Sequence, residues 1–196
     1  MKSKKIKFQF QGEVFELPAV AVRKDSYNND ETYIHMGAKH TASVIKQYVK
    51  KMFPQIKVWA SSDVYSGGSS TRVDICNPDG SPVDREIEKN IESFAQNFKA
   101  GRFDGMYDIY EYREDKISTD NGTKFKYFPS YVFVTNRAPF GTLEYYINEF
   151  NEFGGEKYDH LRDKLVGSTL LEQFLNWNRE YFKKGFEEKL VTVINK

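Results

Sequence analysis

The 196 residues carry 29 Lys/Arg against 28 Asp/Glu, a net charge of +1, with 39% apolar residues and a mean hydropathy of −0.67. These values fit one folded domain over residues 1–196, because 16 Phe and 13 Tyr supply the large buried areas that a lean apolar fraction otherwise lacks. They exclude imitation of DNA by bulk negative charge, and no window approaches the 18 apolar residues of a membrane span, so no membrane is expected as a partner.

Charge is uneven along the chain. Residues 1–57 hold 11 Lys/Arg and 5 Asp/Glu, or +6, and the remainder balances this at −5. A basic first third can attract a phosphate backbone or an acidic protein, although mixed charged faces are ordinary on soluble domains. Cys76 is the one cysteine, which rules out an intramolecular disulfide and a cysteine-based metal cluster. The start, Met1-Lys2-Ser3-Lys4-Lys5, leads into alternating residues and not into an apolar run. A cytoplasmic location without a signal peptide is therefore expected.

Taken in chain order, Ile6, Phe8 and Phe10 alternate with Lys5, Lys7 and Gln9, and Gln11-Gly12 turns into Val14-Phe15-Glu16-Leu17, a β-hairpin within residues 1–23. Residues 24–32 are polar and read as a loop. Ile45, Tyr48, Val49, Met52 and Phe53 place an apolar stripe on a helix over 41–53, ended by Pro54. Strands follow at 56–61 and 71–76, separated by a flexible turn at Tyr65-Ser66-Gly67-Gly68-Ser69-Ser70. Asn77-Pro78-Asp79-Gly80 is a turn in which Gly80 is expected at positive φ and Asp79 bonded to a nearby N–H. Ser81 and Pro82 then read as the cap and first residue of a helix reaching Phe98, with Val83, Ile87, Ile91, Phe94 and Phe98 on one face.

Residues 106–112 and 131–134 read as strands, with a hairpin-turn signal at Asp120-Asn121-Gly122. Two helical stripes follow, Leu143/Tyr146/Ile147/Phe150 and Leu171/Phe174/Leu175/Phe182, separated by Gly154-Gly155. The fold class is therefore α+β: a central, mostly antiparallel sheet with two helices on one face (a helix-strand-strand-helix unit), an N-terminal hairpin and C-terminal helices. Its parts are the hairpin at 1–23, an α+β core at 41–137 and a helical part at 141–196.

No catalytic constellation stands out, and neither a cofactor nor a metal is expected. His35, His40 and His160 share no ligand spacing, and Cys76 ends an apolar strand, where cysteine behaves as a small hydrophobe. The glycine–serine run 66–70 joins two strands and lacks the helix that a phosphate-binding loop opens. Asp104 and Asp108 lie in an acidic run, with Asp108 and Tyr110 on one strand face, where a carboxylate among phenols is a metal or general-base position. A solvated strand face accounts for them more simply. The candidate partner-binding residues are Tyr65, Ser66, Ser69, Arg72, Asp104, Asp108 and Tyr110. The alternative, a nucleic-acid-binding surface, draws on Lys46, Lys50, Lys51, Lys57 and Trp59.

Read together, Phe53-Pro54-Gln55-Ile56-Lys57-Val58, Tyr65-Ser66-Gly67-Gly68-Ser69-Ser70, Asn77-Pro78-Asp79-Gly80 and Phe103-Asp104-Gly105-Met106-Tyr107-Asp108 resemble the large polyvalent protein-associated domain that is twenty-ninth of its series. The match in order and spacing runs over about 41–113, with a looser echo at Asn136-Arg137. It departs at Trp59 and Ala60, where the family tends to polar or basic residues, and at Ser81-Pro82 after Asp79-Gly80. The resemblance implies a protein of phages or conjugative elements acting in the cytoplasm of a bacterial host, where such proteins are thought to protect incoming DNA. It carries over no catalytic residue. It favours a non-catalytic inhibitor of a host defence protein, a CRISPR effector or a restriction enzyme, ahead of a nucleic-acid-binding module, and an enzyme using Asp104 and Asp108 ranks last.

Overall fold

The computed structural model describes all residues except 1–3, 27–30, 105, 107–108, 113–116, 156–168 and 196, and it divides into two compact units. The first comprises residues 1–75 and 83–136, the second 76–82 and 137–196.

In the first unit, β1 (Lys5–Phe10) and β2 (Glu13–Pro18) form the expected antiparallel hairpin, with Phe8 opposite Phe15. Phe8, Phe10, Phe15 and Leu17 are buried, while Lys5 and Lys7 lie outside against Glu16, as the period-two pattern requires. The polar stretch 24–32 is only partly loop, because β3 (Val22–Asp25) and β4 (Glu31–His35) pair antiparallel and β4 pairs in parallel with β9 (Lys124–Lys126). That partner lies about ninety residues away, which local composition does not register.

Helix α1 (Ala38–Met52) starts three residues earlier than its stripe suggests, and it buries Val44, Ile45 and Val49. β5 (Lys57–Tyr65) and β6 (Gly68–Cys76) are longer than the strands read from sequence. They leave only Ser66 and Gly67 as the turn, with Gly67 at φ 89°. Helix α2 (Arg85–Gln96) begins later than expected. The Val83 N–H is held by Asn136 Oδ1 at 2.7 Å, so the cap falls to Asp84, whose carboxylate accepts from Glu86 N–H at 2.7 Å.

After α2 come β7 (Gly101–Asp104) and β8 (Ile109–Tyr112), an antiparallel pair in place of one strand over 106–112, with Met106 in a turn. β10 (Tyr131–Thr135) returns parallel to β6, giving the sheet order β10-β6-β5. The central sheet is thus mixed. α1 packs on β5 and β2, α2 on β10 and α1, and one core joins Phe10, Phe15, Ile45, Val49, Val73, Ile75, Ile91 and Phe94. Tyr48 stacks on Phe94 at 3.8 Å between centroids, and Phe53 and Ile87 pack at the margin of the core.

In the second unit, α3 (Leu143–Phe153) is capped by Thr142, and α4 (Leu170–Asn178) carries a capping box made by Thr169 and Glu172. Phe182 does not continue the α4 stripe: a 3₁₀ turn at Arg179–Tyr181 intervenes, and Gly185 at φ 76° starts α5 (Phe186–Ile194). Tyr146, Phe153, Phe174, Leu175 and Leu190 form a separate core here. The 77–80 turn adopts the expected form, with Gly80 at φ 84° and Asp79 Oδ1 accepting from Ser81 N–H at 3.0 Å and from its hydroxyl at 2.6 Å. Those bonds hold the Asp79 carboxyl below its usual range.

Candidate functional site

The outward face of the β10-β6-β5 sheet follows from alternation. On β6, Thr71, Val73 and Ile75 point into the core, so Ser70, Arg72 and Asp74 point the other way. The parallel register sets Tyr131 beside Ser70, Phe133 beside Arg72 and Thr135 beside Asp74. On β5, Val58 and Ala60 pack on the core, which turns Trp59, Ser61, Asp63 and Tyr65 outward. A two-residue turn between two nine-residue strands makes β5 and β6 antiparallel and places Tyr65 opposite Gly68. Counting back gives Asp63 opposite Ser70, Ser61 opposite Arg72 and Trp59 opposite Asp74.

Two rows therefore cross the sheet, Ser61–Arg72–Phe133 and Asp63–Ser70–Tyr131. Between them lies an open-sided cavity of about 470 Å³ lined by Ser61, Ser62, Asp63, Ser70, Arg72 and Phe133. Of these, Phe133 is 51% exposed. The Arg72 side chain is 63% exposed, and its Nε lies 3.6 Å from Asp74 Oδ1. Burial pushes the Asp74 carboxyl above its usual value, against the pull of Arg72 and a hydrogen bond from Thr135.

Aromatic rings extend this face. Tyr131 stacks along Phe133 at 6.0 Å, Tyr110 meets Tyr131 at 6.1 Å, and Tyr112 meets Tyr110 at 5.0 Å. The Tyr110 hydroxyl donates to the Ser130 carbonyl at 2.6 Å, which fixes its ring. Burial, and then Tyr131 and Tyr112, push its phenol above the ordinary range, with a smaller effect from Tyr65.

Of the residues singled out in the sequence, Tyr65, Arg72 and Tyr110 belong to this region, and Ser66 stands exposed in the turn beside it. Ser69, one residue from Ser70, points to the opposite side of the sheet. The Asp104 backbone pairs with Ile109, and Asp108 lies outside the described residues, as does His160. The basic set is split. Lys46, Lys50 and Lys51 lie on α1, which packs beneath the sheet, and Trp59 lies on the outer face with Lys57 at the start of β5. Lys51 is engaged with Glu13 at 3.3 Å, with the Val14 carbonyl and with the Phe15 ring.

Sequence reasoning missed Tyr131 and Phe133, although their alternation with Val132 and Val134 was a readable signal. It also missed a ring cluster at the N-terminus of α1. His35 stacks on Tyr127 at 5.3 Å and meets His40 edge-on at 5.9 Å, and Tyr127 holds φ 63°. The Gly37 N–H donates to His35 Nδ1 at 3.2 Å. Burial, then Arg23 and His40, lower the His35 imidazole below its ordinary value. Among the described residues no group of three or more His, Cys, Asp or Glu could hold a metal ion, and no helix is long and apolar enough to cross a membrane.

No curated protein and no solved structure matches the chain significantly. The family model for large polyvalent protein associated domain 29 matches residues 36–139, which runs from just before α1 to just past β10. This is just over half the chain and contains the whole outer face described above, so the chain belongs to the large polyvalent protein associated domain 29 family, a domain of mobile genetic elements.

Proposed function

We propose that the chain is an accessory protein of a phage or other mobile element that binds and inhibits a host defence protein, a CRISPR effector or a restriction enzyme, through the outer face of the β10-β6-β5 sheet. The observation that carries this reading is the make-up of that face. Tyr65, Tyr131, Phe133 and Arg72 stand over Ser61 and Ser70, and the acids Asp63 and Asp74 balance the cation. Rigid aromatic and arginine anchors among serines are the usual material of protein-recognition surfaces. A groove that tracks a phosphate backbone needs an excess of positive charge, which this face lacks.

The test is survival of incoming plasmid or phage DNA in a host that carries the relevant defence. Tyr65→Ala combined with Arg72→Ala, in a variant whose melting is unchanged, should abolish protection. Full protection by that folded variant overturns the reading. The ring row Tyr112–Tyr110–Tyr131–Phe133 supports a second reading, stacking of single-stranded nucleic acid. That reading requires binding that falls steeply with salt, and fluorescence anisotropy at low salt showing none removes it.

A further inference from the structure

β5 ends the sheet, and among the described residues no strand pairs with its outer side. The turn fixes which backbone groups face that side. With Tyr65 and Gly68 as the closing pair, Tyr65, Asp63 and Ser61 direct their N–H and C=O toward β6, whereas Val64 and Ser62 direct theirs away. The Val64 N–H agrees, since it donates to its own neighbour, Asp63 Oδ1, at 2.9 Å. Residues 61–65 are all exposed, Val64 by 79%. An exposed edge of this kind is a template for another extended chain.

The groove beside this edge selects the chemistry of the visitor. Its single cation, Arg72, is largely exposed with its Nε 3.6 Å from Asp74 Oδ1, while the other acid, Asp63, accepts from the Val64 N–H. A strand added outside β5 would lie about 9.6 Å from β6, two strand spacings. Ser61 in between is too short to fill that gap, and the combined lengths of an arginine and a glutamate side chain bridge it. Phe133, beside Arg72 on β10, lines the same groove.

We propose that the partner docks as an extended, otherwise neutral segment carrying one carboxylate, adding a strand to the β5 edge at residues 61–65 through the outward groups of Ser62 and the Val64 carbonyl and placing that carboxylate on Arg72. This rests on the protein-partner reading above and names the part of the partner that the face receives.

The test uses the ¹⁵N-labelled full chain and two capped peptide probes, an alternating Thr/Val segment with a central Glu and the same segment with Gln. The Glu peptide should shift the amides of 61–65 saturably and slow exchange at Ser62. The Gln peptide, or Arg72→Ala, should weaken binding by roughly tenfold or more, the usual weight of a charge-assisted hydrogen bond. Ser62→Pro removes an outward N–H and leaves the β6 ladder intact, so it should abolish binding while the Tyr65 and Gly68 amides stay in place. If that variant does not fold, the Gln peptide and Arg72→Ala still decide. No saturable shift at about 1 mM peptide, equal binding of both peptides, or shifts confined to other elements overturn the proposal. So does a dimer of the protein alone in sedimentation that Arg72→Ala dissolves, because a second copy is then the occupant. Wild-type protection of incoming DNA in the assay above, alongside a failed peptide titration, refutes the edge-docking mode and spares the inhibitor reading.

Discussion

Gly80→Ala is the substitution whose cost the structure specifies most closely. Gly80 holds φ 84°, and a Cβ there would lie 2.0 Å from the Glu144 carbonyl oxygen and 3.2 Å from Asn148 Cβ. Glu144 is the second residue of α3, so relief requires the backbone of that helix to move. The left-handed conformation costs an alanine about 1–2 kcal/mol, and overpacking against a fixed neighbour adds about 1–3 kcal/mol. Together these give about 2–5 kcal/mol. Gly67 separates the two contributions. Its φ is 89°, but nothing lies within 4 Å of its Cβ position, so Gly67→Ala should cost only the conformational part, about 1–2 kcal/mol. Urea unfolding followed by circular dichroism, together with hydrogen exchange of the α3 amides, measures both variants. Equal losses within about 0.5 kcal/mol, or unchanged α3 protection in Gly80→Ala, would refute the steric argument.

Three further outcomes are expected. Ile91→Ala removes a fully buried side chain from the first core and should cost about 2–5 kcal/mol in chemical denaturation; a loss below about 1 kcal/mol would place Ile91 outside that core. Asn136→Ala should cost about 2–4 kcal/mol, because its amide both accepts from the Val83 N–H at 2.7 Å and donates to the Val83 carbonyl at 2.9 Å, and an unchanged denaturation midpoint would show that water replaces it. For His35, folding lowers the imidazole pKa, so the unfolded chain binds the extra proton; stability is full above about pH 6.5 and falls as pH drops toward the folded value. His35→Asn keeps an acceptor for the Gly37 N–H and should flatten that acid-side slope, and a slope identical to wild type would assign it to another group.

Local periodicity made much of this fold legible. The α1 and α2 stripes name side chains that the structure buries, Ile45, Val49, Ile91 and Phe94, and the first hairpin follows from six alternating residues. What stayed hidden depends on contacts far apart in the chain. β4 has a mixed polar composition and becomes a strand through β9, and β10 joins β6 in parallel only after the chain crosses over through α2. The 3₁₀ turn before Gly185 was hidden for a different reason: Phe182 continues the apolar spacing of α4 in sequence while the backbone has already left the helix.

The same split applies to the site. Tyr65, Arg72 and Tyr110 are candidate partner-binding residues on the sequence alone, but nothing local says that Arg72 stands beside Phe133 and opposite Ser61. That arrangement comes from two independent registers, the two-residue turn and the parallel crossover, which meet on β6. Such a face has a physical signature apart from its composition. The inward residues of β10, Val132 and Val134, belong to the core, so the strand already has its stabilising face. Phe133 is half exposed on the other face and forgoes about half of the roughly 1.5–3 kcal/mol that full burial of its ring would contribute. Tyr112, 76% exposed at the far end of the same ring row, is in the same position. Contiguous aromatic area left in water is characteristic of a surface that something else covers. This is why the proposed partner-binding surface is the face bearing Phe133 and not the lysines of α1.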